Sequence, residues 1–199
     1  MKKIGLLLCV VLMISACTTK FTKNEYGLGV VKETEHAIFY AQANDDETKE
    51  TIQQLSTYFE QHYERITNMF NYSTKQKTII HLYTDKQHFH RMIGRQTEGT
   101  YDATDQIIKV YTPSNMNSEE QIEEYNFQLV HEFVHAVIQQ NNPIVGQIKW
   151  LDEGTAYYAS LQLELEKEKK KEVDISKAPT LEQLADPHYF SQYGSLAYY

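Results

Sequence analysis

Cysteine is nearly absent: the chain has two in 199 residues, and Cys9 sits inside an N-terminal apolar run. With that run removed as a leader, no internal disulfide can form, and stability has to come from a packed core, with or without a metal. Apolar runs long enough to span a bilayer are lacking as well, since the stretch from Ile4 to Ile14 is too short to cross one comfortably. Positive charge is scarce. Nineteen Lys and Arg against 27 Asp and Glu give a formal charge of −8, and the leader takes Lys2 and Lys3 with it. A chain so acidic has no general basic surface for nucleic acid or anionic headgroups. Histidine-rich and acidic low-complexity tracts are also missing, which argues against a metal-scavenging surface protein. What is left suits one domain of ordinary size.

Residues 1–16 read as a secretory signal: Lys2 and Lys3, the apolar run, then the small pair Ser15-Ala16. Ile14-Ser15-Ala16-Cys17 resembles a bacterial lipobox, in which the cysteine is lipidated and becomes the mature N-terminus. That resemblance implies a lipid anchor at Cys17 on the extracytoplasmic face of a bacterial cell membrane. Plain secretory cleavage, with Cys17 an incidental thiol, is the competing reading. Residues 17–35, polar and broken by Gly27 and Gly29, read as a tether, and residues 36–199 as the folded domain.

Within that domain Ala37 to Tyr40 is a β-prone run, and the apolar spacing from Ile52 to Phe70 predicts an amphipathic helix over Asp45–Phe70. Thr78 to Tyr83 reads as a buried strand, Lys86 to Ile93 as a short helix ending at Gly94, and 100–102 with 106–111 as a hairpin. Ser118-Glu119-Glu120-Gln121 has the form of a capping box, and Asn141-Asn142-Pro143 ends the helix it opens. A second helical pattern runs from Glu153 through Leu165 and dissolves into the mixed-sign run 166–172, a solvated helix end. Thr180 to Gln183 opens a further short helix. Strands beside helices in this order make an α+β fold.

The chemistry lies in His131-Glu132-Phe133-Val134-His135. On a helix, residues four apart are separated by about 400° of rotation, so both imidazoles point the same way, one turn apart. The glutamate between them sits beside the open coordination position of a metal held by the pair, where it can act as a general base. H-E-x-x-H on a helix is a zinc metalloprotease signature. A third protein ligand would leave a catalytic zinc one open site, and Glu153 follows downstream in Trp150-Leu151-Asp152-Glu153-Gly154.

These two segments, with Ala156 and Tyr158, resemble the gluzincin metallopeptidases, and among them the aminopeptidase N-like and bacterial peptidase MA-like domains, whose second segment reads W-L-x-E-G-x-A-x-Y. Seventeen residues lie between His135 and Glu153, one fewer than in aminopeptidase N-like enzymes, and the G-x-M-E-N segment that binds a substrate amine is missing. The smaller MA-like domain is therefore the better match, and an aminopeptidase the poorer one. The resemblance implies a zincin-like fold, a small mixed sheet beside the motif helix with a mostly helical C-terminal part. It implies one Zn²⁺ held by His131, His135 and Glu153, and hydrolysis of peptide or protein substrates with Glu132 as base on water at the open position. It also implies that Ile107–Tyr111, the strand before the motif helix, edges the cleft.

A donor for the tetrahedral intermediate would come from a later segment, with Tyr193 the candidate and Tyr198 next. The segment 191–199 corresponds to the start of a longer helix in MA-like domains, so the chain reads as C-terminally shortened. Thermolysin-like enzymes carry an aspartate one turn after the ligand glutamate, where this chain has Tyr157. Asp152 is expected to cap its own helix. Trp150 and Leu151 are expected to pack beneath the junction of the two helices. His36, His62, His81, His88, His90 and His188 have no ligand spacing with the motif and read as surface or structural. The alternative function is a catalytically inactive binding lipoprotein on the same scaffold.

Overall fold

A computed structural model describes residues 21–113, 115–164 and 179–186. Five strands form one sheet: β1 (Gly29–Glu33), β2 (Ala37–Ala41), β3 (Thr78–Tyr83), β4 (Gly99–Asp102) and β5 (Ile107–Tyr111), in the spatial order β1-β2-β3-β5-β4. The inner strands β2, β3 and β5 are parallel, and β1 and β4 close the edges antiparallel. The helices are α1 (Asp46–Met69), α2 (Lys86–Ile93), α3 (Glu119–Asn141), α4 (Lys149–Ser160) and α5 (Leu181–Ala185). Among the described residues this is a mixed α+β arrangement with a small sheet followed by a largely helical part. No helix among the described residues is long and apolar enough to cross a membrane.

Alternation sorts the sheet into two faces. Phe39, Ile80, Leu82, Ile108 and Val110 point to one side, where Ile52, Leu55, Phe59 and Ile66 of α1 and Leu129, Phe133 and Val137 of α3 bury them in a single core. On the other side Tyr83 packs with Leu28 and with Phe89 of α2, flanked by Tyr40, Ile93 and Tyr111. Lys109 also lies on this second face, buried, and is held by Asp102 at 3.1 Å and Asp105 at 2.7 Å. Asp102 ends β4 and Asp105 lies in the turn to β5, so the hairpin supplies its own countercharge.

Several expectations need correction. The stretch read as a tether contains β1, and the chain is already folded by Phe21, whose ring lies where a Cβ on Gly29 would stand, 2.6 Å away. β1 is an edge strand with Val30 exposed, so it carries little of the apolar signal that marks a buried strand. β5 does not edge the sheet: it is apolar at four of five positions and buried, and the hairpin folds β4 outside it. The edge on that side of the sheet is β4. α4 begins at Lys149 and stops at Leu161, which takes a left-handed conformation with φ 72°, so the helix does not run on unbroken. Leu151 is exposed and so does not fill the junction below the two helices, while Trp150 is half-buried.

Candidate metal centre

α3 starts where Ser118 accepts a hydrogen bond from the Gln121 backbone N–H, with Glu119 and Glu120 in the first turn, where negative charge suits the helix dipole. The reciprocal Gln121 bond goes to the Asn117 N–H, one residue ahead of the cap expected from a strict capping box. Twelve residues of α3 are buried, and His131, Glu132 and His135 are among them. On this helix burial does not separate a polar face from an apolar one, because the polar face is covered by α4 and β4.

α4 brings Glu153 to the histidines. His131 Nε2 and His135 Nε2 lie 3.1 Å apart, and Glu153 Oε2 is 3.3 Å from the first and 3.5 Å from the second. Zinc bonds of about 2.0–2.1 Å at the tetrahedral angle require ligand-to-ligand edges of about 3.3–3.4 Å. The triangle therefore has the dimensions of one face of a zinc tetrahedron, and the donor set of two imidazoles and one carboxylate suits that ion. These three residues form the metal-ligating cluster found among the described residues.

The orientation of His135 is fixed from behind. Its Nδ1 is 2.8 Å from Asp152 Oδ1, and a carboxylate can only accept, so Nδ1 carries a proton and Nε2 is the nitrogen turned to the centre. Asp152 is fully buried, receives Gln139 Nε2 on both oxygens at 3.2 and 3.1 Å, and has Lys149 Nζ 3.5 Å away. The expected cap role for Asp152 is thus overturned. The helix starts three residues earlier, and the carboxylate points across to α3. His131 is held differently: its ring packs edge-on against Tyr157, with centroids 4.8 Å apart, and its Nδ1 is buried without a hydrogen-bond partner among the described residues.

Burial alone would lower the His135 imidazole, but its bonds to Asp152 and Glu153 outweigh that and push it up to about 10 in the metal-free chain. Burial would raise Glu153, yet contacts with the two imidazoles hold it well below the usual carboxylate range. Glu132 goes the other way. Burial raises its pKa against the opposing pull of His135 and His131. Its Oε1 accepts from Gln128 Nε2 at 2.7 Å. Gly99 of β4 abuts it so closely that a Cβ there would lie 2.6 Å from Oε1.

The centre opens into a cleft of about 710 Å³ between β4 and the end of α2 on one side and α3 and α4 on the other. Sequence reasoning named the three clustered residues and Glu132 but missed Gln128, Gln139 and Gly99. The glutamines carried a signal: Gln128 lies four before Glu132 and Gln139 four after His135, the spacing of a shared helix face. Gly99 had none that a single sequence can offer. Cys17, Tyr193, Tyr198 and His188 lie outside the described residues. No protein-family model matches this chain, and no curated protein matches it.

Proposed function

We propose that the chain is a zinc-dependent peptidase of the zincin type, with His131, His135 and Glu153 holding the ion and Glu132 as general base. The carrying observation is the triangle of two imidazole nitrogens and a carboxylate oxygen beside a buried glutamate whose pKa is raised. The motif likeness to gluzincins and the mixed sheet beside α3 agree with it. Zinc at such a site supplies a Lewis acid that polarises a carbonyl and makes water a better acid. Glu132 takes the proton from the attacking water and passes it to the leaving amine. A carboxyl whose pKa burial raises gives up and holds the proton more evenly than a solvated one, which suits both halves of that shuttle.

An extended peptide would add to β4. Tyr111 N–H donates to Glu98 O, and the register then turns the backbone groups of Gly99 and Tyr101 away from β5, toward the open edge. There the Gly99 carbonyl accepts from the Thr97 hydroxyl at 2.7 Å and the Tyr101 carbonyl from the Thr100 hydroxyl at 3.3 Å. Those hydroxyls are donors that an incoming strand could replace.

The test is zinc content and hydrolysis of a mixed peptide library by the full chain. About one zinc per chain is expected, with hydrolysis that a chelator abolishes and added zinc restores. Zinc held without cleavage of any peptide would favour the inactive binding lipoprotein. A folded chain that takes up no zinc would sink both readings.

Gly99→Ala is expected to cost about 10²-fold in kcat/KM, because the added methyl displaces the base by a few tenths of an ångström or more. The melting temperature should move less than the activity, since the atoms that must yield belong to the Glu132 and Gln128 side chains and not to backbone; a large drop in stability would mean the strand itself had moved.

The lipid anchor at Cys17, on the extracytoplasmic face of a bacterial membrane, belongs to the same proposal and rests on the leader and the lipobox-like residues. Folded chain begins by Phe21, four positions on, a reach of at most about 14 Å. Such an anchor would hold the domain against the membrane surface.

A further inference from the structure

Three cations line the cleft: Arg95, Lys109 and Lys149. Two are already neutralised, Lys109 by Asp102 and Asp105 and Lys149 by the buried Asp152. The cleft's anions are matched too. Glu98 pairs with Lys86 at 2.5 Å, Asp102 with Lys109, Asp152 with His135 and Lys149, while Glu153 and Glu132 face the metal centre. Arg95 is different: its guanidinium donates to the Thr100 hydroxyl at 3.3 Å and makes no ion pair among the described residues, although its charge is felt by the buried Glu132. It is the cleft cation without a carboxylate in direct contact.

Its position along β4 is defined. Gly99 abuts Glu132, so it marks the level of the reacting bond, and Thr100 is the next residue, about 3.3 Å further along the strand. Successive residues of a strand face opposite sides, so Thr100 and the guanidinium bound to it lie on the side away from α3. A peptide paired with the open edge of β4 has every second side chain on that same side.

We infer that Arg95 is a specificity-determining residue, which selects substrates with an acidic side chain within about two residues of the bond cleaved. The inference rests on the peptidase reading and adds the substrate class. A guanidinium anchored by one hydroxyl keeps several N–H donors free in a fixed plane, the geometry that receives a carboxylate.

The experiment uses C-terminally amidated peptide pools in which each position in turn is fixed as Glu, Gln or Lys. Binding to the zinc-loaded full-length Glu132→Gln variant is followed by fluorescence anisotropy, and hydrolysis by the wild type is followed in parallel. At one position Glu is expected to bind about tenfold tighter than Gln, with Lys weaker still, as one charge-assisted hydrogen bond provides. The difference should appear in KM rather than kcat and shrink with added salt. Arg95→Ala should flatten the ranking and Arg95→Glu should reverse it. A flat ranking in the wild type, or one that survives in Arg95→Ala, overturns the inference while cleavage leaves the peptidase reading standing. A ranking seen in binding without any cleavage upholds the charge selection and removes the peptidase reading.

Discussion

Glu132→Gln is expected to lower kcat/KM for peptide hydrolysis by about 10²–10⁴-fold while zinc stays at the wild-type level. Glutamine keeps the length of the side chain and an oxygen that can accept from Gln128 Nε2, so the bond now made at 2.7 Å survives. What disappears is the ability to take a proton. Stability is expected to hold or rise slightly, because a neutral amide replaces a carboxylate that burial disfavours. The three metal-ligating atoms are untouched, which separates loss of the base from loss of the ion. Kinetics, metal analysis and thermal unfolding on one preparation check all three parts. Turnover within tenfold of wild type would move the base to another residue, and loss of zinc would assign Glu132 to the metal rather than to the proton.

The parts of this site legible in the sequence are those governed by local rules. α3 is bounded by Ser118 and by Asn142-Pro143, and the i, i+4 spacing of His131 and His135 survives folding because a helix converts spacing directly into direction. The β4–β5 hairpin was legible for a similar reason: Asp102 and Asp105 accept from Thr104 and Ile107 N–H groups inside the turn itself. Where the sequence misled, a partner distant in the chain decided the outcome. Edge and interior strands differ only in what pairs outside them, so β5 could not be told from β4. β1 looks like linker because an edge strand keeps polar Lys32 and Glu33. The stop of α4 carries no glycine, since Leu161 itself takes the left-handed conformation. Asp152 obeys a cap preference until α4 crosses α3, when a histidine and a glutamine claim its carboxylate.

That crossing makes Asp152→Asn the second large effect. Zinc affinity is expected to fall about 10–100-fold, the usual consequence of losing a carboxylate behind a ligating imidazole. Two opposing terms decide the size. Asparagine can still accept from His135 Nδ1 through its carbonyl, so the ring stays oriented, but the imidazole becomes a weaker ligand without the negative charge. Against this, the metal-free His135 is pushed up to about 10, so zinc must displace a proton from it at neutral pH. Removing the charge lowers that pKa and eases the competition. The sign follows: protons hinder zinc binding more in the wild type than in the variant as pH falls. The deficit of Asp152→Asn should therefore be widest near about pH 9 and narrow toward about pH 6, and zinc binding near neutrality should release fewer protons from the variant. Titration calorimetry in buffers of different ionisation enthalpy reads affinity and proton release together. An affinity loss that is the same at every pH, with equal proton release in both proteins, would place the role of Asp152 in the packing of α4 on α3 and not in the electrostatics of His135.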